Sequence, residues 1–331
     1  MLVLAEAEVE RLIEVEEAIA AAADAYRLHA AGAVPPPVRA DLRSEAPKVG
    51  CLLLAGLLGP DLLTVKSNVH VYPNGPAAPR FWGSLLTVWD LATGLPRALI
   101  SARAFNDHRT AAGFAAAARA LASPDVTSLA LFGAGKTAPM TALYLNAVRP
   151  SIRRLLLVGR SPDRVAALAA WVRACPHLSD VTVETGWSPH EAVREAGIVA
   201  TVTSSDEPVF PGASARPGAL VILGGANRPT AREADDDLMR RARVIVDARA
   251  GILEKAGDLA RALASGALDP ARIVAEIGPC LDGSVPEAPG TDVTVFKSMG
   301  LAVQDAVLAA RLVEKAERAG VGVQVDLEGA R

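Results

Sequence analysis

Short runs of apolar residues alternate with longer amphipathic segments through the middle of the chain. The apolar runs predict strands at residues 128–132, 154–158, 181–186, 197–204, 219–225 and 243–249, and one more at 292–298. The segments between them, at residues 162–175, 188–196, 235–242 and 251–268, have helical spacing. Strands that are apolar on both faces are typical of a buried parallel sheet. Because strands and helices alternate, the pattern predicts a doubly wound α/β sheet through about Arg249.

The first part of the chain has a different pattern. Residues 5–31 have helical spacing up to Gly32, and a proline triplet at 35–37 then begins an extended stretch. Strands are predicted at residues 38–42, 48–58 and 61–73, followed by a hairpin over 81–100. A helix of small residues runs from Asn106 to about Ala122. The long predicted helix at residues 299–320 comes after the last strand, so it can return to this first region.

Within residues 61–73 the side chains alternate between two kinds. Val65, Ser67, Val69 and Val71 share one face of the predicted strand, and the other face carries Lys66, Asn68, His70 and Tyr72. A lysine in a partly dry pocket can act as an acid or base, because burial lowers its pKa. A lysine on an edge strand can equally face water. The pattern alone leaves both interpretations open for Lys66.

A glycine-rich turn follows the strand at 128–132. Its sequence is G-x-G-x-x-A over residues 133–138, and a predicted helix and a second strand come directly after it. This order of elements is typical of a dinucleotide-binding site. Gly133 allows a tight turn, Gly135 lets a pyrophosphate approach the backbone, and Ala138 keeps the helix close to the sheet. The amino end of the helix offers free N–H groups to the phosphates.

The end of the second strand indicates which dinucleotide is bound. An NAD site usually has an acidic residue there for the ribose hydroxyl groups, whereas this chain has Arg160, with Ser161 and Arg164 nearby. Guanidinium groups match the geometry of a phosphate. The residues therefore favour the 2′-phosphate of NADP(H) over NAD(H), although a solvated arginine cluster at a helix start would have the same sequence.

Composition narrows the class of protein. The chain has 331 residues, 51% hydrophobic and 21% charged, which is long enough for two globular domains. A net charge of −3 gives no reason to expect binding to nucleic acid or to a membrane surface. Three widely spaced cysteines and an acidic amino terminus without a signal-peptide pattern favour the cytoplasm. No histidine or cysteine spacing predicts a metal site.

Two arginines are further candidates. Arg109, at the start of the small-residue helix, could hold a carboxylate with two hydrogen bonds or could point into water. Arg39, directly after the proline triplet, is by itself more typical of a surface position.

Taken together, these stretches resemble the ornithine cyclodeaminase/mu-crystallin family. The resemblance rests on an ordered set of motifs that spans almost the whole chain: PPPVR (35–39), VKSN (65–68), TGLPRAL (93–99), HRTAA (108–112), GAGKTA (133–138), VTSSDEPVF (202–210), GGANRP (224–229) and VFKSMGLAVQD (295–305). Each motif is weak alone, and their order and spacing carry the resemblance.

The resemblance implies a Rossmann-type domain, residues 123–304, and a discontinuous α+β substrate and dimerisation domain, residues 1–122 with 305–331. It implies a homodimer, joined through the first-domain strands and the small-residue helix. It makes Lys66 the catalytic lysine beside the reacting nitrogen and assigns the substrate carboxylate to Arg39 and Arg109, with Asn227 as a further substrate residue. Cofactor contacts are expected from Thr110, Gly133, Ala134, Gly135, Lys136, Thr137, Arg160, Ser161, Arg164, Thr203, Ser204 and Lys297.

One departure separates the activities known in this family. True cyclodeaminases have an aspartate at the position of Asn227, and asparagine cannot take up a proton. The expected activity is therefore NADPH-dependent reduction of a small cyclic or linear 2-imino acid to an L-amino acid. The alternatives are an NAD-dependent ornithine or lysine cyclodeaminase that releases ammonia, and a protein of mu-crystallin type that binds NADPH and a small acid without turnover.

Overall fold

The structure is a computed structural model that describes residues 1–36, 38–45, 48–71, 81–286, 290 and 292–327. Pro37 of the PPPVR motif and Tyr72 of the predicted strand lie outside the described residues. The described strands are β1 (Leu2–Leu4), β2 (Val38–Glu45), β3 (Lys48–Leu58), β4 (Leu62–Val71), β5 (Phe81–Asp90), β6 (Leu95–Ser101), β7 (Ser128–Phe132), β8 (Arg154–Val158), β9 (Thr182–Glu184), β10 (Ile198–Thr201), β11 (Leu220–Leu223), β12 (Ala242–Val246), β13 (Ile273–Glu276), β14 (Val293–Lys297) and β15 (Val323–Gln324).

The described α-helices complete the set of elements. They are α1 (Glu6–Leu12), α2 (Val15–Ala30), α3 (Ala102–Leu121), α4 (Thr137–Val148), α5 (Pro162–Ala174), α6 (Pro189–Glu195), α7 (Asp236–Arg241), α8 (Ile252–Lys255), α9 (Gly257–Ala264), α10 (Ile277–Cys280) and α11 (Ala302–Ala319). None of the described helices is both long enough and apolar enough to cross a membrane.

The chain forms two compact units, and each is described separately. The terminal unit contains Met1–Arg109 and Leu301–Arg331, and the central unit contains Thr110–Gly300. The first division between these units lies inside α3, between Arg109 and Thr110, whereas the sequence predicts a domain boundary at residues 122–123. The helix after the last strand does return to the first part of the chain, as its position in the sequence predicts.

The terminal unit is built on one mixed sheet in the order β15-β1-β6-β5-β4-β3-β2. Neighbouring strands are antiparallel except for β1 and β6, which are parallel. Helix α11 packs on β3 and β4 and also contacts α2. It begins very close to the sheet at Gly56, where a Cβ atom would lie 2.9 Å from the Cβ of Ala302. Any larger residue at position 56 would push the helix away from the strand.

In β4 the burial of the two faces is the reverse of what a simple hydrophobic pattern predicts. The polar face, with Thr64, Lys66 and Asn68, is the buried one. The apolar face carries Val69, which is exposed. Because β4 lies between β3 and β5, the interpretation of Lys66 as a lysine on an edge strand facing water is wrong.

The central unit confirms the predicted doubly wound sheet. Its strands lie in the order β13-β12-β14-β11-β10-β7-β8-β9, and every pair is parallel. The core is formed by fully buried aliphatic residues of these strands, including Leu156, Val199 and Val221. Strand β13 was missing from the sequence prediction, because IVAE is short and ends in a charged residue.

Two predicted helices are interrupted. Residues 5–31 form α1 and α2, since Ile13 is extended (φ −79°, ψ 115°) and buried between them. Residues 251–268 form α8 and α9, which Ala256 separates with φ −86° and ψ 101°. Gly257 is packed so tightly there that a Cβ atom would lie 2.0 Å from the Ala231 carbonyl oxygen. In both places tertiary packing overrides helical spacing.

Candidate active site

A row of side chains on the covered face of the terminal sheet contains two of the predicted site residues. Arg39 on β2 pairs with Leu54 on β3, and Leu54 pairs with Lys66 on β4. Adjacent strands lie about 4.8 Å apart, so Arg39 and Lys66 are held roughly 10 Å apart along this row, pointing to the same side of the sheet. The strand register thus brings together two motifs that are separated in sequence.

Lys66 meets a carboxylate and an amide on that face. Its Nζ lies 2.8 Å from both carboxylate oxygens of Asp305, which is in the first turn of α11. The same Nζ donates a hydrogen bond to Asn106 Oδ1 at 3.2 Å. Lys66 is fully buried and the Asp305 side chain is 2% exposed, so this pair has almost no contact with water.

Arg109 joins the same group from α3. Its Nε lies 2.9 Å from Asp305 Oδ1, and its Nη2 donates to Asn106 Oδ1 at 3.2 Å. Because α3 begins at Ala102, Asn106 and Arg109 lie three residues apart within the helix and share a face. All of these residues belong to the terminal unit.

The charges of this group do not balance. In the part of the chain that the structure describes, Arg39, Lys66 and Arg109 are three cationic side chains, and Asp305 is the one buried carboxylate paired with them. Asp41 lies 3.7 Å from Arg39 Nε but is half-exposed. Arg39 Nε is buried without a hydrogen-bond partner among the described residues. A buried site with excess positive charge and an unused guanidinium donor suits an anionic ligand, and a carboxylate fits the guanidinium geometry.

The pKa of Lys66 reflects these surroundings. Burial, the Arg109 guanidinium and the more distant Arg39 together lower it from 10.5 to about 8, in spite of Asp305, which raises it. Lys66 is therefore mostly protonated at pH 7 but close to releasing its proton, which is the range that suits a general acid. His108, next in sequence to Arg109, is different: burial lowers its pKa to about 4, so its imidazole is neutral at pH 7.

In the central unit, the predicted dinucleotide turn has the expected local geometry. Gly133 has φ +106°, and a Cβ atom there would lie 2.8 Å from the Val202 carbonyl oxygen, so only glycine fits. Gly135 and Lys136 are exposed, and no atom lies within 4 Å of a Cβ placed on Gly135. Helix α4 starts at Thr137, and Ala138 is fully buried below it. Open space above a glycine at the amino end of a helix fits a pyrophosphate.

The residues predicted to choose between NAD and NADP lie after β8. Arg160 and Arg164 are exposed. Ser161 is the N-cap of α5, and its Oγ accepts a long hydrogen bond of 3.5 Å from the Arg164 backbone. Arg160 directly precedes this N-cap and Arg164 is in the first turn of α5, so both belong to a helix amino end, which is also favourable to an anion.

The remaining predicted cofactor and substrate residues are distributed over the central unit. Thr110 is half-buried in α3, and Ala134 is half-buried in the turn. Thr203 is half-buried in the loop after β10, while Ser204 and Asn227 are exposed. Lys297, also predicted to contact the cofactor, is fully buried at the end of β14, where its Nζ donates to Ala226 O at 2.6 Å and to Asp258 Oδ2 at 3.0 Å. Its ammonium group is engaged by protein atoms.

Sequence reasoning missed two members of the lysine group, Asp305 and Asn106. Asp305 lies among apolar residues in the first turn of α11. An acidic residue on the apolar side of a predicted helix is the sequence feature that could have identified it. Asn106 was interpreted only as the start of a helix. Among the described residues, no three His, Cys, Asp or Glu side chains form a group that could hold a metal ion.

Comparison with known proteins agrees with the motifs. The model of the ornithine cyclodeaminase/mu-crystallin family matches residues 1–320. Similar proteins include a Δ1-pyrroline-2-carboxylate reductase of Bacillus cereus, 28% identical over 98% of this chain and 100% of its own length. The ketimine reductase mu-crystallin of Mus musculus is 35% identical over 76% of this chain and 75% of its own length.

A solved structure is similar over the same extent. The Δ1-pyrroline-2-carboxylate reductase of Thermococcus litoralis, in complex with NADH and L-proline, has a TM-score of 0.89 and 27% identity, covering 98% of this chain and 100% of that one. The expected class, an oxidoreductase that acts on C=N groups with a nicotinamide cofactor, agrees with these relatives. The chain belongs to the ornithine cyclodeaminase/mu-crystallin family.

Proposed function

We propose that this protein uses NAD(P)H to reduce a small cyclic or linear 2-imino acid, a ketimine, to the L-amino acid. The observation that carries the proposal is the contact of buried Lys66, Arg109 and Asp305 with half-buried Asn106, with Arg39 on the same sheet face. A proton donor with a lowered pKa stands there beside cationic groups that match a carboxylate. The named activities of the Bacillus and mouse relatives support the same reaction.

The proposed roles follow from the chemistry of each group. Arg109 and Arg39 bind the substrate carboxylate and fix the imine relative to Lys66, and such positioning can supply several kcal/mol of the barrier. The bound nicotinamide supplies the hydride that becomes the new C–H bond. Lys66 donates a proton to the imine nitrogen as the C=N π bond is lost, and regains one from water after the product leaves.

Asp305 and Asn106 act on Lys66 rather than on the substrate. Asp305 holds both Lys66 and Arg109 within 2.9 Å, so one carboxylate fixes the spacing between the proton donor and a carboxylate-binding group. Asn106 Oδ1 accepts from the same two side chains. The negative charge of Asp305 also keeps Lys66 protonated near neutral pH in spite of the burial and the two arginines.

The reaction is tested by following NADPH and NADH consumption over a panel of 2-imino acids made in place from amines and 2-oxo acids. Imine-dependent oxidation of the cofactor is the expected result. Release of ammonia from ornithine or lysine without net cofactor change, and no imine reduction across the panel, would identify a cyclodeaminase instead. Cofactor binding with neither reaction would indicate a binding protein of mu-crystallin type.

We further propose that NADPH is preferred, since Arg160, before the N-cap of α5, and Arg164, in its first turn, would hold the 2′-phosphate. Gly133, Ala134, Gly135, Lys136 and Thr137 would bind the pyrophosphate, and Thr110, Thr203 and Ser204 would contribute further contacts. NADPH should bind at least about tenfold more tightly than NADH, or about 1.4 kcal/mol. Fluorescence titration with both cofactors measures this, and equal affinities would exclude a 2′-phosphate site at these arginines.

A homodimer is proposed through the uncovered face of the terminal sheet. Val38, Leu42, Leu53, Val69 and Leu85 share that face by strand register and are 37–65% exposed. An apolar patch of this kind usually marks an interaction site, and a self-complementary patch forms a symmetric dimer. The small-residue helix does not support its expected part in the interface, because residues 111–118 of α3 are buried within their own chain.

Light scattering at micromolar concentration tests the dimer. Leu53→Asp should convert a dimer to a monomer, whereas Leu91→Asp, at a similarly exposed leucine in the turn between β5 and β6, should not. A monomeric wild-type protein would contradict the proposal.

A further inference from the structure

Two loops at the carboxyl edge of the central sheet meet at one buried carboxylate. Strand β10 leads to Thr203, and the neighbouring parallel strand β11 leads to Gly225 and Ala226. Glu233 Oε1 accepts hydrogen bonds from Thr203 N and Thr203 Oγ1, both at 2.8 Å. Its Oε2 accepts from Gly225 N at 2.7 Å and from Ala226 N at 3.0 Å. Each oxygen of Glu233 therefore serves a different loop.

The two loops are also in direct contact. A Cβ atom at Gly225 would lie 2.1 Å from the Thr203 carbonyl oxygen and 2.5 Å from Glu233 Oε1. No residue other than glycine fits between the first loop and the carboxylate. The contact leaves little freedom for one loop to move without the other.

The backbone of Glu233 is fixed by a second buried carboxylate, Asp258. Asp258 Oδ1 accepts from Glu233 N at 2.6 Å and from Ala234 N at 3.0 Å, and Asp258 Oδ2 pairs with Lys297. Lys297 Nζ returns to the second loop, donating to Ala226 O at 2.6 Å. Glu233, Asp258 and Lys297 are all fully buried. The second loop is thus fixed through its N–H groups by Glu233 and through a carbonyl by Lys297.

The position of these loops gives the carboxylate a role beyond satisfying buried N–H groups. In open parallel sheets, ligands bind at loops that follow the carboxyl ends of the strands. Thr203 and the exposed Ser204 are on the first loop, and the exposed Asn227 follows Ala226 on the second. We propose that Glu233 is a positioning residue that holds the loop of Thr203 and the loop of Asn227 in one fixed arrangement for cofactor and substrate. The substrate part of this inference rests on the proposed function.

Glu233→Gln tests the inference with little change in shape. An amide has one acceptor oxygen, and its NH2 group would face N–H donors, so one loop must lose its hydrogen bonds. Asp235→Asn is the matched control. Asp235 also accepts from two backbone N–H groups, those of Gly212 at 2.8 Å and Leu238 at 2.9 Å, but it holds the start of α7 instead of these loops.

The readout is cofactor affinity, measured by fluorescence titration without any turnover. Glu233→Gln should raise the Kd for NADH and for NADPH about tenfold, a change of about 1.4 kcal/mol. The KM for the imine should also rise at saturating cofactor. Asp235→Asn should leave both Kd values within about twofold of wild type, even where thermal melting shows equal or larger loss of stability.

Thr203→Val provides a second route if Glu233→Gln does not fold, since it removes one of the four hydrogen bonds and keeps the carboxylate. It should weaken cofactor binding, and Thr203→Ser should restore it. Unchanged Kd values in Glu233→Gln, or the same increase in Asp235→Asn, would overturn the inference. A wild-type protein that binds cofactor but reduces no imine would refute the proposed function and leave the Kd comparison valid.

Discussion

Two buried lysines, one in each unit, make an informative comparison. Lys66 and Lys297 are both fully buried, and each has an aspartate oxygen within 3.0 Å of its Nζ. Lys297 also donates to a backbone carbonyl, so its hydrogen bonds are to one carboxylate and one neutral oxygen. Lys66 shares its carboxylate with Arg109 and has Arg39 on the same face.

The difference teaches that burial and an aspartate partner do not by themselves make a lysine reactive. At Lys297 one cation matches one anion, and the pair holds a loop in place. At Lys66 burial and the two arginines lower the pKa to about 8 although Asp305 raises it. Because the cations there outnumber the anion, the group can also bind a negatively charged ligand. We therefore expect Lys297 to matter for stability and Lys66 for turnover.

The largest effect is expected from Lys297→Met. The substitution keeps the length of the side chain but leaves Asp258 as a buried carboxylate without its cation. Removing one partner of a buried ion pair typically costs about 3–5 kcal/mol. Thermal or denaturant unfolding measures this loss, with Lys315→Met, at a partly exposed lysine paired with Glu14 and Glu17, as a control expected to cost at most about 1 kcal/mol. A Lys297→Met protein as stable as wild type would contradict the conclusion that Lys297 stabilises the fold.

Lys66→Met should lower turnover strongly and stability little, the reverse of what is expected for Lys297→Met. Turnover of the imine should fall by about 10²-fold or more, the range for loss of a general acid. Cofactor affinity should stay near that of wild type. Stability should change much less than in Lys297→Met, because Asp305 keeps Arg109 at 2.9 Å and a desolvated cation is removed. Steady-state kinetics and a melting curve on one preparation measure the turnover and the stability of the variant. Full activity in Lys66→Met would show that Lys66 has no part in the mechanism.

The smallest effect concerns the pH dependence. Reduction requires protonated Lys66, so kcat/KM should fall as the pH rises through about 8, the pKa of the free enzyme. Asp305 raises that pKa, while Arg109 and Arg39 lower it and Asn106 is neutral. Asp305→Asn should therefore move the alkaline limb to lower pH, with a smaller loss of rate than Lys66→Met.

Wild type and Asp305→Asn are assayed with the same imine. Protonation of the substrate then affects both pH profiles equally and does not contribute to the difference between them. In a separate variant, Asn227→Asp should not improve reduction, because an added carboxylate supplies no hydride. A limb that stays in place in Asp305→Asn would show that Asp305 does not set the proton affinity of Lys66.

Much of the fold was predictable from sequence because its signals are local. The bounds of β3, β7 and β8 match the apolar runs, and Gly133 lies where the turn requires a positive φ. Family motifs in order also predicted Lys66, Arg39 and Arg109 as one group.

The sequence alone determined most of the strands and helices, which turn could hold a dinucleotide and which family the chain belongs to. Only the tertiary structure decided which face of β4 is covered, since alternation reports two faces and cannot say where α11 packs. The structure also placed Asp305 on Lys66 across 239 positions of sequence, and joined two loops through Glu233. Such contacts depend on the register of strands and the docking of helices, which no local pattern contains.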